Sequence, residues 1–268
     1  MRISTLSSHW LACLLGLILL PAAAHAQGDD DKIDADRPDF VDASRVLGKG
    51  RWQLEGGYAV ERDREAGVRE RTGSTPLLLR YGATGTTELR VETEGRMRYR
   101  ADGPGVRERE RGWDDVTLGA ARHLADGGGA RPSLGVIADV TFATGSAQFR
   151  GAGVRPSLRA VAEWELPRGL SLGVMPGLVR DHAQDGRRAI NGLLGISLGK
   201  DWSDSLHGFV ELAAPRIARV RNGGTEATFD VGAAWMVSQH CQLDAAVMRG
   251  LNHRTADLAW TVGFSFRP

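Results

Sequence analysis

Charged side chains occupy every second position from Glu88 to Arg98: Glu88, Arg90, Glu92, Glu94, Arg96 and Arg98 alternate with Leu89, Val91, Thr93, Gly95 and Met97. Ionic groups at this spacing can pair with one another, hold water and sort passing ions, so their chemistry is electrostatic rather than nucleophilic. A helix would scatter them around its circumference. A strand puts all of them on one face and the apolar residues on the other, and two faces this different call for two different solvents.

Nucleophilic chemistry has weaker support. Gly195-Ile196-Ser197-Leu198-Gly199 has the Gly-x-Ser-x-Gly spacing of a hydrolase elbow, but the elbow needs a sharp turn from strand into helix. Ser197 instead falls inside an alternating run and reads as a small lumen-facing residue. A lipase or deacylase built on a barrel would need Ser, His and an amide or carboxylate on neighbouring strands at the membrane edge. His123, His182, His207, His240 and His253 are scattered, and only His207 falls clearly on a strand's polar face. No His or Cys pair has metal-ligand spacing on one face, and Gly199-Lys200 lacks the upstream Gly of a phosphate loop. The expectation is no catalytic residue, no metal and no cofactor. An outer-membrane enzyme remains the alternative, to be decided by whether a Ser and a His come within hydrogen-bond reach.

The elements that position the charges are strands. Alternation recurs from Arg51 to the C-terminus: Trp52, Leu54, Tyr58 and Val60 near the start, Leu134, Val136, Ala138 and Val140 midway, and Leu258, Trp260, Val262, Phe264 and Phe266 at the end. Twelve such runs can be counted, most of about the 9 to 11 residues that a tilted strand needs to cross a bilayer. Long connections, such as Arg62 to Thr72 and Arg100 to Gly112, alternate with short ones, such as Pro167 to Gly169. Outer-membrane barrels pair long external loops with short periplasmic turns; a soluble sandwich has no reason to do so. The fold class expected is therefore all-β, a single transmembrane antiparallel barrel over residues 50–268.

The N-terminus fits export to the Gram-negative outer membrane. Arg2 precedes the apolar run Leu11 to Leu20, and Ala24-His25-Ala26 supplies a small-residue cleavage site, so residues 1–26 read as a signal peptide. Residues 27–49 are polar and Asp-rich, with no periodic face, and read as an exposed periplasmic lead-in, with the question whether they plug the barrel left open. Losing Arg2 takes the formal net charge from +1 to 0, which gives nucleic acid nothing to bind. The partners expected are outer-membrane lipid with its lipopolysaccharide and a small-molecule solute. The oligomeric state stays open.

By the alternation, inward positions hold thirteen acids: Glu55, Glu61, Glu88, Glu92, Glu94, Asp115, Asp139, Glu163, Glu165, Glu211, Asp230, Asp244 and Asp257. They hold five bases, Arg80, Arg90, Arg96, Arg98 and Arg159. Carboxylates in a narrow lumen are costly unless hydrated or paired. Two outcomes are open: a salt-bridged, filled interior serving a structural or adhesive barrel, or a hydrated acidic path that disfavours anions. In the adhesive case the Arg- and Glu-rich loops would do the work.

Asp36-Arg37-Pro38-Asp39-Phe40, then Gly50-Arg51-Trp52-Gln53-Leu54-Glu55-Gly56-Gly57-Tyr58, is similar to the MetA-pathway of phenol degradation family of outer-membrane transporters. Leu79-Arg80-Tyr81-Gly82 with Thr87-Glu88-Leu89-Arg90 resembles that family's second hairpin, and Gly250-Leu251-Asn252 with Asp257 resembles its end. The resemblance spans most of Asp34 to Pro268. It implies an outer-membrane channel passing small aromatic or other hydrophobic molecules, and it supplies no catalytic residues.

Overall fold

The computed structural model describes residues 33–182 and 187–268. Residues 1–26, read as a signal peptide, lie outside the described residues. The strand segments are β1 (Trp52–Glu65), β2 (Val68–Ser74), β3 (Leu77–Gly82), β4 (Thr87–Thr93) and β5 (Arg96–Gly103). They continue with β6 (Val106–Trp113), β7 (Val116–Ala125), β8 (Ser133–Phe142), β9 (Arg155–Leu166) and β10 (Leu170–His182). The last are β11 (Arg188–Ser203), β12 (Leu206–Ile217), β13 (Glu226–Ser238), β14 (Cys241–Gly250) and β15 (Leu258–Phe266). All pair antiparallel in one sheet, which closes because β15 also pairs with β1, from Leu54 opposite Phe266 to Arg62 opposite Leu258.

Six of these segments are halves of three long staves. β2 and β3 both pair with β1, β5 carries on from β4 across Gly95, and β7 carries on from β6 across Asp114-Asp115. The barrel therefore has twelve staves, the number expected from the alternation. Closure matters because lipid offers no hydrogen bonds to an open sheet edge. The outward row is apolar and exposed, with Leu77, Leu79, Tyr81, Leu89, Val91 and Leu118 among it, as a lipid-facing surface requires.

Two expectations about the loops and one about the strand face need correction. Arg62 to Thr72 and Arg100 to Gly112 are not irregular external loops. β1 and β2 run on to a two-residue turn at Ala66-Gly67, and β5 and β6 to one at Pro104-Gly105. Since β2 also pairs with β5, the two hairpins form a four-stranded arm projecting beyond the barrel wall. Outside the lipid both faces of a strand can be ionic, and that is why interleaved charge looked like loop.

The third correction lies at Gly95. It has φ of 66° and sits as one extra residue between Thr93, opposite Leu77, and Arg98, opposite Gly73. An extra residue on one strand shifts every later side chain to the other face. A Cβ at Gly95 would stand 2.3 Å from the Thr75 carbonyl oxygen, so no larger residue fits this bulge as built. Arg96 and Arg98, expected in the lumen, consequently share the outer face, while Met97 and Tyr99 turn inward. The parity reverts at Asp114-Asp115, so that Trp113 faces out beside Arg96 and Leu118 faces out beside Val91.

Candidate solute path

The segment expected to be an exposed lead-in is instead folded into the lumen from Ile33 onward. Ile33 donates its amide to the Gln239 carbonyl at a short-turn end of the barrel, and the chain climbs to Phe40 and Val41 before returning to Gly50, bonded to Gly82. The physical reason is that the lumen holds acceptors in excess of donors and an extended backbone supplies donors. Glu55 accepts the amides of Asp36 and Arg37 at 3.3 and 3.1 Å. Glu211 accepts those of Phe40 and Val41 at 2.8 and 3.0 Å, Glu163 that of Ser44 at 2.6 Å, and Glu88 that of Leu47 at 3.0 Å.

Side chains of this plug complete the charge balance. Arg37 reaches Asp244 at 3.0 Å and Thr261 at 2.8 Å. Asp36 and Asp42 lie between the lumen arginines: Arg90 is 2.7 Å from Asp36 and 3.0 Å from Asp42, and Arg159 is 2.5 Å from both Asp42 and Asp139. Arg80 is held by Glu88 at 2.9 Å and Glu55 at 3.1 Å, with Asp36 at 3.6 Å. Burial raises the Asp36 carboxyl, but Arg80 and Arg90 outweigh it and hold Asp36 below the usual carboxylate range. Among the described residues Asp39 has no such partner; burial, and next the Glu211 carboxylate, push it well above that range.

Apolar side chains share the lumen wall with these charges. Val41 and Val46 of the plug pack on Ala121, Ile137, Val161, Met175 and Leu193, with Phe40 and Val179 alongside. The plug is thus held by ion pairs and by hydrophobic contact together, with Ile137 directly opposite Arg159 on β8 and β9. Beyond it, toward the arm, lies a cavity of about 650 Å³ whose floor is Asp36 to Phe40 and Asp42. Its wall mixes Glu61, Glu92, Glu94 and Asp230 with Leu78, Ala213, Ala246 and Met248. A second cavity of about 260 Å³ adjoins it at Glu92, Glu94, Phe40 and Arg159.

Of the residues expected along the lumen, Glu55, Arg80, Glu88, Arg90, Asp139, Arg159, Glu163 and Glu211 converge on the plug, and Glu92, Glu94 and Asp230 line the larger cavity. Arg96 and Arg98 are outside, for the reason given above. Asp257 has inward parity but precedes the first residue of β15 and is exposed in the connection from β14. The alternation could not have found Asp36, Arg37 or Asp42, which lie on no strand. Ser197 sits mid-strand in β11, opposite Gly173 and Glu211, with no turn to make it an elbow.

The family model described as putative MetA-pathway of phenol degradation matches residues 35–267. The chain belongs to this family. Among solved structures, an outer membrane channel from Pseudomonas putida F1 is 14% identical, with a TM-score of 0.63 over 84% of this chain and 98% of that one. The KdgM porin in complex with disordered oligogalacturonate is 10% identical, with a TM-score of 0.52 over 80% and 98%. The beta domain of the Bordetella autotransporter BrkA is 12% identical, with a TM-score of 0.53 over 81% and 98%. No curated protein matches. These solved structures, a channel and a porin among them, share the barrel fold of this chain.

Proposed function

We propose that this barrel is a passive channel for small uncharged solutes, aromatic or otherwise hydrophobic, whose lumen disfavours anions and whose flow is set by the plug, residues 33–49. It would act after export and removal of residues 1–26, in outer-membrane lipid with lipopolysaccharide as the surrounding partner. The observation that carries the reading is the larger cavity. Its roughly 650 Å³ falls within the ~300–1,000 Å³ usual for small-molecule sites, and its wall joins apolar side chains to carboxylates. The family's description, with its reference to phenol degradation, supports a single-ring solute.

The residues divide the work. Leu78, Met248 and Phe40 offer apolar contact, Glu92, Glu94 and Asp230 raise the cost of an anion, and the plug narrows the path below them. Arg90 and Arg159 are engaged in holding Asp36 and Asp42 and Arg37 in holding Asp244, so of the arginines lining the cavity Arg254 is left to offset the acidic bias. Planar-bilayer recording and phenol uptake into proteoliposomes test the reading. The expectation is a small, cation-favouring conductance with phenol flux, both enlarged when residues 34–47 are deleted. No flux from either protein, or preference for anions, would overturn it.

A further inference from the structure

The arm sorts its charges by face. Arg62, Arg71, Arg100 and Arg109 lie directly opposite one another across its four strands, in one unbroken row. Two residues away along each strand, on the same face, one neighbouring row holds Arg64, Arg69 and Arg107 with Asp102, and the other holds Arg98 beside Arg111. Asp102 is the one acid in those rows. The rows between them point the other way and carry Asp63 opposite Glu70, Glu108, and Glu61 and Glu110, with no arginine.

The basic face is the outer one. Arg62 continues the row of Trp52, Leu54, Tyr58 and Val60 and stands opposite Leu258, whose row runs on through Trp260 and Val262. Ten residues from Trp52 to Arg62, at ~3.3 Å each and a tilt of ~40°, rise about 25 Å, the height of the apolar band of such barrels. Arg62 therefore stands where the lipid chains end. All of the arginines named are exposed, and no ion pair forms among the described residues between any of them and a carboxylate. Like charges set directly opposite destabilise a sheet, so the row calls for an anion from outside.

We propose that this outer face binds the phosphate groups of the outer-leaflet glycolipid, with Arg62, Arg71, Arg100 and Arg109 as its centre. A guanidinium fork matches phosphate geometry and can bind it bidentately. The site is independent of the solute path and stands or falls apart from it.

The test uses the full refolded chain in detergent and native mass spectrometry with lipid A bearing two phosphates. R62Q/R71Q/R100Q/R109Q is expected to bind it about tenfold or more weakly, the loss of at least one charge-assisted hydrogen bond. Wild type should lose as much when the lipid is dephosphorylated, and E70Q/E108Q, on the inner face, should bind as wild type does. The fourfold variant removes repulsion and should refold; if its yield is poor, R100Q/R109Q is read the same way. Unchanged affinity in the arginine variant, equal binding of the dephosphorylated lipid, or displacement by inorganic pyrophosphate at the concentration of the lipid itself would overturn the proposal.

Discussion

The guanidinium of Arg90 stands 2.7 Å from a carboxylate oxygen of Asp36, with both side chains buried, and so ties the wall of the barrel to its plug. Breaking a buried pair by removing one partner leaves the other charge uncompensated, at roughly 3 to 5 kcal/mol. Arg90→Ala should therefore loosen the plug and raise the single-channel conductance. The double variant R90A/D36N, which removes a carboxylate left with Arg80 alone at 3.6 Å, should seat the plug better than R90A. Equal conductance in all three proteins would show that this contact does not hold the plug.

Glu211 serves two plug amides at once, those of Phe40 and Val41. Hydrogen bonds to a charged group contribute about 1.5 to 3 kcal/mol each. Glu211→Ala should accordingly expose Val41, read as faster thiol labelling of a V41C reporter from the aqueous side. An unchanged labelling rate would mean that the apolar contacts of Phe40 and Val46 suffice.

The plug should sit more firmly in acid. Asp39 is raised by burial and by Glu211, with Asp36 and Glu163 adding to the effect. The docked state therefore binds a proton more tightly than the released one, and docking weakens as pH rises from the ordinary carboxylate range through the raised value. Asp36 has the opposite sign, lowered by Arg80 and Arg90 against the cost of burial, and its contribution is lost only in strong acid. Conductance is expected to increase with pH over the Asp39 interval and to lose that dependence in D39N.

Gly95 should resist substitution. A left-handed backbone costs an L side chain roughly 1 to 2 kcal/mol, and a Cβ here would also meet the Thr75 carbonyl oxygen at 2.3 Å. G95V should refold in lower yield and show a lower melting temperature on heat-shift gels. Wild-type behaviour would mean that the bulge relocates at no cost.

Period-two alternation was enough to read twelve staves, because a membrane barrel enforces it with two solvents. It also gives the inner side for Glu55, Arg80, Glu88, Arg90 and Glu211, all of which face the lumen. The same counting misplaces Arg96 and Arg98, since it carries parity through Gly95. A glycine inside a strand often marks a bulge, so that signal was present and unused. Asp257 shows the other limit, a residue of the right parity lying just beyond its strand. The plug was illegible for a different reason: its bonds run from main-chain amides, which every residue but proline carries, to carboxylates more than a hundred positions away in the case of Glu163 and Glu211.

That mode of attachment sets what the plug's sequence is free to become. The carboxylates grip amides at Asp36, Arg37, Phe40, Val41, Ser44 and Leu47, and the segment's own proline, Pro38, falls between the gripped positions. In a library of single substitutions, the amide-gripped sites should reject proline above all, while Arg37 and Val41, whose side chains pair with Asp244 and pack on the apolar cluster, should also be restricted in side chain. Glu55, Glu88, Glu163 and Glu211 should accept almost none. The barrel would then keep its occupant through a long history of drift in the occupant's own letters.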